Sequence, residues 1–177
     1  MPSKSASQTS TQSKSDRATT KGPHALTLLK EEHATVEEMF DRYEKLKEKG
    51  TDAQKAKLAG EICYALTRHA EMEEAIFYPA LRKAIEDQDI LDEADVEHAG
   101  AKDLIAQIRA AEPGDDHYDA KVKVLGEGVK HHVKEEEGEM FKEARAADLD
   151  FNALGAEMKA FIDGYAENKT RAGKTSA

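Results

Sequence analysis

The chain has 177 residues, a formal net charge of −10, a single cysteine and no tryptophan. This length fits one domain with its own core. One cysteine excludes an internal disulfide and a cysteine-rich zinc or iron–sulfur site, so any metal must be bound through nitrogen and oxygen. No apolar run approaches the roughly 20 residues that cross a bilayer, and no secretion signal is recognisable at the N-terminus. We therefore expect a cytoplasmic protein without a membrane partner.

Positive charge is concentrated at the two ends of the chain. The first 21 residues and the last ten each carry a net charge of +3, which leaves −16 for the body between them. Such an acidic body repels a phosphate backbone, so we expect no nucleic-acid partner. Both ends are nearly free of apolar side chains, so they bury too little apolar surface to offset the conformational entropy that would be lost on folding. The sequence predicts disordered tails at residues 1–22 and 167–177, and one domain at residues 23–166.

Helical periodicity begins just after the N-terminal tail. The first predicted helix spans about residues 24–49, and its apolar side chains recur every three or four positions, which forms one core-facing stripe containing His33. A turn at residues 50–51 leads into a second helix. That helix carries His69 and Glu73 on its apolar face. Both histidines are therefore predicted to face the interior.

A proline and an acidic loop divide the middle of the chain. Pro79 removes a helical hydrogen bond, so it should kink or end the second helix, with residues 81–85 continuing at an angle. The third helix, at about residues 91–108, carries His98 on its apolar stripe. The segment Glu-Pro-Gly-Asp at residues 112–115 is a clear helix breaker.

The fourth helix begins near His117 and carries His132 and Glu136. A short fifth helix, from about Asp150, packs with one apolar side. Because short turns join long helices, the sequence predicts an all-α, up-down antiparallel four-helix bundle with a short fifth C-terminal helix.

The turns place the four histidines at matching heights in pairs. His33 and His69 are both about 17 to 18 residues from the first turn, and His98 and His132 are similarly placed about the turn at Gly114. Across the turn between the second and third helices, His69 and His98 lie at different distances from the turn. The predicted kink at Pro79 must absorb that difference.

A histidine is followed four residues later by glutamate in two places: His69 with Glu73, and His132 with Glu136. Residues four apart share a helix face, so each pair can direct two donors at one point. Burying four imidazoles and two carboxylates without compensation costs several kcal/mol per charged group, and a bound cation removes that cost. The alternative is that these side chains line a polar groove or a water-filled cavity.

Six nitrogen and oxygen donors exceed the three or four protein ligands of a zinc centre. The donor set favours a carboxylate-bridged di-iron pair, with manganese as the nearest competitor and zinc after it. A ferritin-like pattern requires Glu three residues before His. Those positions are Leu66 and Val129, so that pattern is absent.

Three stretches, residues 25–33, 69–79 and 132–137, resemble the opening segment, second helix and fourth helix of the hemerythrin-like HHE cation-binding family. The resemblance covers roughly residues 24–145. It implies that the four histidines bind non-haem iron and that the two glutamates bridge the ions, which gives the ligand set His33, His69, Glu73, His98, His132 and Glu136.

Oxygen-carrying members of that family have a fifth histidine four residues after the third-helix histidine, where this chain has Lys102. The resemblance therefore favours binding or sensing of a small molecule such as oxygen or nitric oxide, or of iron itself, over oxygen carriage. The alternative is an enzyme that consumes hydrogen peroxide or reduces nitric oxide. A metal-free helical interaction module is a third hypothesis. The oligomeric state is left open.

Other polar residues have competing interpretations. Glu74 and Glu137 each directly follow a candidate bridging glutamate. Each could serve as an extra metal ligand or could accept a hydrogen bond from a ligating histidine. His131 is rotated by about 100° from its neighbouring ligand candidate and is expected to point away from the centre. A buried inert thiol, two surface histidines and four tyrosines able to offer a hydroxyl complete the set: Cys63, His24, His117, Tyr43, Tyr64, Tyr78 and Tyr165.

Overall fold

A computed structural model describes the backbone of residues 22–174 and the side chains of residues 22–165, with residues 1–21 and 175–177 of the predicted tails outside it. Within residues 22–174 the chain is helical without strands, and no helix is long and apolar enough to cross a membrane. The elements are α1 (Ala25–Lys49), α2 (Asp52–Met72), π1 (Glu73–Phe77), α3 (Tyr78–Arg82), α4 (Asp89–Arg109), α5 (Tyr118–Glu135), π2 (Glu136–Met140), α6 (Phe141–Ala146) and α7 (Phe151–Lys174), where π marks a π-helical turn.

The helices α1, α2, α4 and α5 form a closed ring of neighbours. Each packs against the next, and α5 returns to α1. A capping box starts α2, because Gln54 N–H donates to the Thr51 hydroxyl at 3.3 Å and Thr51 N–H donates to Gln54 Oε1 at 2.9 Å. The predicted up-down four-helix bundle is confirmed.

The C-terminal helix α7 packs outside the ring, against α1, α2 and π1. It has 24 residues and runs past the predicted end at residue 166, because no proline interrupts it. Met158 is its fully buried anchor. Gly155 allows the closest approach: a Cβ there would lie 1.8 Å from the carbonyl oxygen of Pro23, so only glycine fits without a shift.

Two π-helical turns follow the second and fourth helices of the ring. Each begins at a predicted bridging glutamate, and in π1 the Tyr78 N–H donates to the Glu73 carbonyl, five residues back. Pro79 directly follows, at the start of α3. The helix continues only to Arg82, so the predicted helical stretch to residue 85 is wrong: residues 83–85 leave the helix, although Ile85 remains buried.

The bundle core consists of two apolar clusters. The first cluster, next to α7, includes Leu29, Met72 and Phe141. The second cluster, toward the turns at residues 50–51 and 110–117, includes Val36 and Leu125. Between these clusters along each helix lie the predicted ligands. The interior is therefore apolar at both ends and polar in the middle.

Candidate metal centre

The polar layer contains every buried polar residue that the described side chains include. These six residues come from the four helices of the ring and the π-helical turns that continue them, and each is less than 9% exposed: His33, His69, Glu73, His98, His132 and Glu136. These are the six residues that the sequence predicts. Their convergence fits the equal heights expected from the turn positions.

The four histidines form two close pairs. His33 Nε2 and His69 Nε2 lie 3.1 Å apart, and His98 Nε2 and His132 Nε2 lie 3.3 Å apart. In each pair the two rings come from different helices and direct the same nitrogen toward the centre of the bundle. The layer thus presents four imidazole Nε2 atoms inward.

Glu73 connects the two histidine pairs. Its Oε1 lies 3.1 Å from His69 Nε2, and its Oε2 lies 3.4 Å from His98 Nε2. Because each oxygen faces a different pair, this carboxylate has the arrangement of a bridge. Two compact groups of donors share it: one also contains the first histidine pair and Glu136, the other the second histidine pair.

Glu136 also reaches both histidine pairs, through one oxygen. Its Oε2 lies 3.1 Å from His33 Nε2 and 3.9 Å from His132 Nε2. The second contact is looser than the first. The two carboxylates are therefore not equivalent, and Glu136 is weighted toward the first pair.

Carboxylates outside the polar layer fix three of the imidazole rings. His33 Nδ1–H donates to Glu137 at 3.0 Å, and His98 Nδ1–H donates to Glu74 at 3.0 Å. His132 Nδ1–H donates to Glu97 at 2.8 Å. A proton on Nδ1 leaves the Nε2 lone pair of a neutral imidazole free, which is the form that binds a metal. Within residues 22–165, His69 Nδ1 has no such acceptor.

The outer carboxylates are themselves held by lysines. Lys102 Nζ donates to both oxygens of Glu74 at 2.6 Å, and Lys30 Nζ lies 3.0 Å from Glu137 Oε2. Lys102 occupies the position where an oxygen carrier's fifth histidine is expected. Here its role is to hold the carboxylate that orients His98.

Sequence reasoning did not single out Glu97, and a weak signal for it existed. It directly precedes His98, as Glu74 and Glu137 directly follow a predicted bridge. Glu97 also lies 3.6 Å from His131, which is an exposed residue that pairs with Glu135 at 3.2 Å. His131 thus points away from the centre, as predicted.

The remaining candidates separate clearly. Tyr78 is buried with its hydroxyl 3.4 Å from both His98 Nε2 and His132 Nε2, so it is the tyrosine that reaches the centre. Tyr43 lies in the second apolar cluster, and its hydroxyl donates to Asp119 instead. Tyr64 is 40% exposed. The others lie elsewhere: Tyr165 faces the Tyr64 ring, His24 stacks on Phe151, His117 is an exposed cap of α5, and Cys63 is a buried free thiol.

Charges within the layer are strongly coupled. Burial lowers the pKa of His33, but the Glu136 and Glu73 carboxylates outweigh burial and raise it to about 9. Burial and the negative charge of Glu73 raise the pKa of Glu136. Burial alone would raise the pKa of Glu73, yet the imidazoles of His69 and His98 hold it well below its usual value. The layer therefore retains protons unless a cation replaces them.

The buried carboxylates provide the test of whether a metal fits. None of the four oxygens of Glu73 and Glu136 accepts a hydrogen bond of good geometry from any described residue. Two buried acids in that state cost several kcal/mol. Nitrogen and oxygen donors directed at a common space suit a divalent or trivalent metal cation, and thiolate ligands are not among them.

Comparison with solved structures gives the same fold. The crystal structure of a hemerythrin HHE cation binding domain-containing protein from Mycobacterium kansasii, an Rv2633c homolog, matches with a TM-score of 0.71 over 86% of this chain and 93% of that chain. The sequences are 19% identical. At that identity the likeness shows a shared helical architecture.

A curated relative is similar over part of the chain. A protein named DNA nickase from Nostoc sp. (strain PCC 7120) is 35% identical over 86 residues, which is 49% of this chain and 24% of that protein. The chain thus matches only about a quarter of that relative's length.

The model of the hemerythrin HHE cation binding domain matches residues 24–144, which include all six residues of the polar layer. This match covers more than half of the chain, and the fold and the buried histidine and glutamate side chains agree with it. The chain therefore belongs to the hemerythrin HHE cation-binding domain family.

Proposed function

We propose that the polar layer holds two iron ions and that the protein binds or senses a small molecule there. His33 and His69 would hold one ion and His98 and His132 the other, with Glu73 and Glu136 shared between them. Manganese and zinc rank behind iron, because six nitrogen and oxygen ligands on two ions suit iron and exceed what one zinc ion takes.

The observation that carries this proposal is the position of Glu73. A carboxylate that only neutralised one histidine would direct both oxygens to the same side. Instead its oxygens lie near two different histidine pairs, at 3.1 and 3.4 Å, and neither accepts a conventional hydrogen bond within the described part of the chain. Bridging two cations satisfies both oxygens at once.

An iron pair, when bound, supplies open coordination for oxygen, nitric oxide or peroxide. The protein supplies a polar layer flanked by apolar clusters at both ends, which gives a bound ligand largely apolar surroundings. The carboxylates of Glu74, Glu97 and Glu137 keep protons on the outer nitrogens of three histidines. Binding or sensing of oxygen, nitric oxide or iron itself needs no more than this.

A second candidate, an enzyme that consumes hydrogen peroxide or reduces nitric oxide, is favoured by Tyr78. Burial and the charges of Glu73 and Glu136 raise its pKa well above the usual value, so its hydroxyl keeps its proton. That hydroxyl lies 3.4 Å from two Nε2 atoms. It is positioned to donate a hydrogen bond to a small ligand at the centre.

We also propose a cytoplasmic protein whose partners are small molecules. The chain carries a net charge of −10, which disfavours a phosphate backbone as a ligand. The name of the Nostoc relative does not transfer, because the similarity covers about a quarter of that protein.

Metal analysis of the full chain after anaerobic iron reconstitution tests the proposal. We expect two irons per chain and, once the loaded protein is oxidised by exposure to air, the near-ultraviolet charge-transfer bands of a ferric pair. His69→Ala and Glu136→Ala should each hold less than half of that iron, whereas His24→Ala, an exposed histidine away from the centre, should hold it fully. A folded wild-type chain that remains iron-free overturns the proposal. Peroxide consumption at many turnovers per iron, lost in Tyr78→Phe, would favour the enzyme; a reversible spectral change with oxygen would favour binding.

A further inference from the structure

A cavity of about 270 Å³ lies directly beside the centre, inside the second apolar cluster. The four histidines of the polar layer line one end of it. The rest of its wall is largely aliphatic and comes from all four helices of the ring: Val36, Leu66, Leu104, Ile105, Leu125 and Val129.

The cavity is much larger than a diatomic molecule or a peroxide needs. One water takes about 30 Å³ of the liquid, and an apolar cavity of about 150 Å³ is enough to bind benzene. A space of about 270 Å³ therefore fits an aliphatic chain of about eight carbons. Its apolar wall would not order water, because a buried water needs two to four polar partners.

The cavity reaches the surface between α4 and α5. Exposed residues on both helices line it at this place: Gly100 and Lys102 on α4, and Val124 and Gly128 on α5. A Cβ at either glycine would meet no atom within 4 Å, so the space beside both glycines is open. Val124 adds an apolar side chain that is 51% exposed at the same opening. A ligand with an aliphatic chain can enter here.

We propose that this cavity binds an amphipathic molecule with an aliphatic chain of about eight carbons, whose polar head faces the four histidines. The role of the head group rests on the proposed metal centre, whereas burial of the chain rests on the cavity alone. The ligand class thereby extends from diatomic molecules and peroxide to medium-chain molecules with one polar end.

The proposal is tested with straight-chain primary alcohols from ethanol to 1-dodecanol, titrated calorimetrically into the iron-loaded full chain. Each added methylene should tighten binding about fourfold until the cavity is full, near 1-octanol. Binding should stop improving beyond that length and should show a negative heat-capacity change. Affinity that keeps rising to 1-dodecanol, or no binding of 1-octanol, overturns the proposal.

Variants of the wall separate the cavity from a nonspecific surface. Ala101→Leu, which adds volume at a lining position on α4, should weaken 1-octanol binding at least tenfold. Ala106→Leu, an exposed control on the same helix, should leave it unchanged. Leu104→Ala enlarges the cavity and should move the optimum to a longer alcohol, so the test survives if the first variant fails to fold. Equal affinities in all three overturn the proposal.

Iron content measured on the same samples keeps the two proposals apart. A chain that loads two irons but binds no 1-octanol contradicts the cavity ligand and leaves the metal centre intact. A chain that binds 1-octanol with the expected length limit but takes up no iron supports the cavity and contradicts the metal centre.

Discussion

His33 and His69 approach each other through their Nε2 atoms at 3.1 Å, although they belong to different helices. Both rings are buried, and each of these nitrogens also faces a carboxylate, Glu136 and Glu73 respectively. Two imidazole lone pairs are compatible with that distance when a proton or a cation lies between them. The same two atoms can therefore share a proton in the metal-free protein, and they would bind the metal ion in the proposed loaded form.

Removal of metal should destabilise the whole domain. A ligand present at about a thousand times its Kd contributes about 4 kcal/mol to the folded state, which is about 10 °C in Tm for a domain of this size. We expect dialysis against a chelator to lower the Tm, measured by circular dichroism, by about that amount. The exposed control His24→Ala should show the same shift. A Tm that is insensitive to the chelator in a protein shown to contain metal would contradict the prediction.

The outer carboxylates should tune metal affinity without being ligands. Glu74→Gln and Glu137→Gln remove the charged acceptors of His98 and His33, and such outer partners typically change metal affinity by about 10- to 100-fold. Competition with a chelator of known affinity measures the loss. Glu93→Gln, at an exposed position of α4, is the matched control. An unchanged affinity in both variants, or a full loss of one ion, would assign these residues a different role.

Two glycines should respond oppositely to alanine. Gly138 lies in π2, where a Cβ would meet no atom within 4 Å, so Gly138→Ala should raise the free energy of unfolding by about 0.5–1 kcal/mol. Gly155→Ala would place a Cβ 1.8 Å from the Pro23 carbonyl oxygen and should lower it by about 1–3 kcal/mol. Urea unfolding of both variants measures the difference. A rise in both variants would mean that α7 does not approach the start of α1 as described, and a fall in both would mean that the space beside Gly138 is not open.

Asp119 should make part of the free energy of unfolding depend on pH in the acid range. Burial raises its pKa, but hydrogen bonds from Lys55 and Tyr43 outweigh burial and lower it. A carboxyl whose pKa is lower in the folded state stabilises the fold above its unfolded pKa of about 3.9, and that contribution is lost as the pH falls through the folded pKa. Asp119→Asn should cost about 1 kcal/mol at pH 7 and progressively less below about pH 4. A cost that is independent of pH would exclude this ionic contribution.

The six residues of the polar layer could be predicted from the sequence because two regular patterns coincide. Each histidine lies within an apolar stripe, and the turns set the heights of the stripes. His33 and His69 are equidistant from the first turn, and the structure brings their Nε2 atoms to 3.1 Å. Sequence periodicity is reliable here because a buried polar residue has few places in a bundle that satisfy it.

The π-helical turns could not be predicted, because one extra residue in a turn leaves composition and propensity unchanged. A trace of them exists in the sequence. Four and five residues after each predicted bridging glutamate, two neighbouring apolar residues are both buried: Phe77 with Tyr78, and Met140 with Phe141. A regular α-helix turns by about 100° between neighbours and does not usually bury both. The proline that suggested a kink is the neighbour of this feature and not its sole cause.

Glu97 and the cavity show a different limit. Glu97 contacts His132 from the neighbouring helix, 35 positions away in sequence, and its one local signal, the position directly before His98, does not indicate that contact. The cavity depends on how six aliphatic side chains fail to fill a common space. Their apolar character predicts a packed core, whereas the amount of empty volume depends on side-chain positions in three dimensions.

The two buried glutamates each contact a histidine from the other half of the domain, and this has a consequence for how the chain is assembled. The first half of the domain contributes His33, His69 and Glu73, and the second half contributes His98, His132 and Glu136. Glu73 reaches across to His98, and Glu136 reaches back to His33. Each half thus completes the other's predicted ligand set, so a chain cleaved in the loop before α4 would regain its centre only through reassociation of both fragments, with a yield that depends on their concentrations.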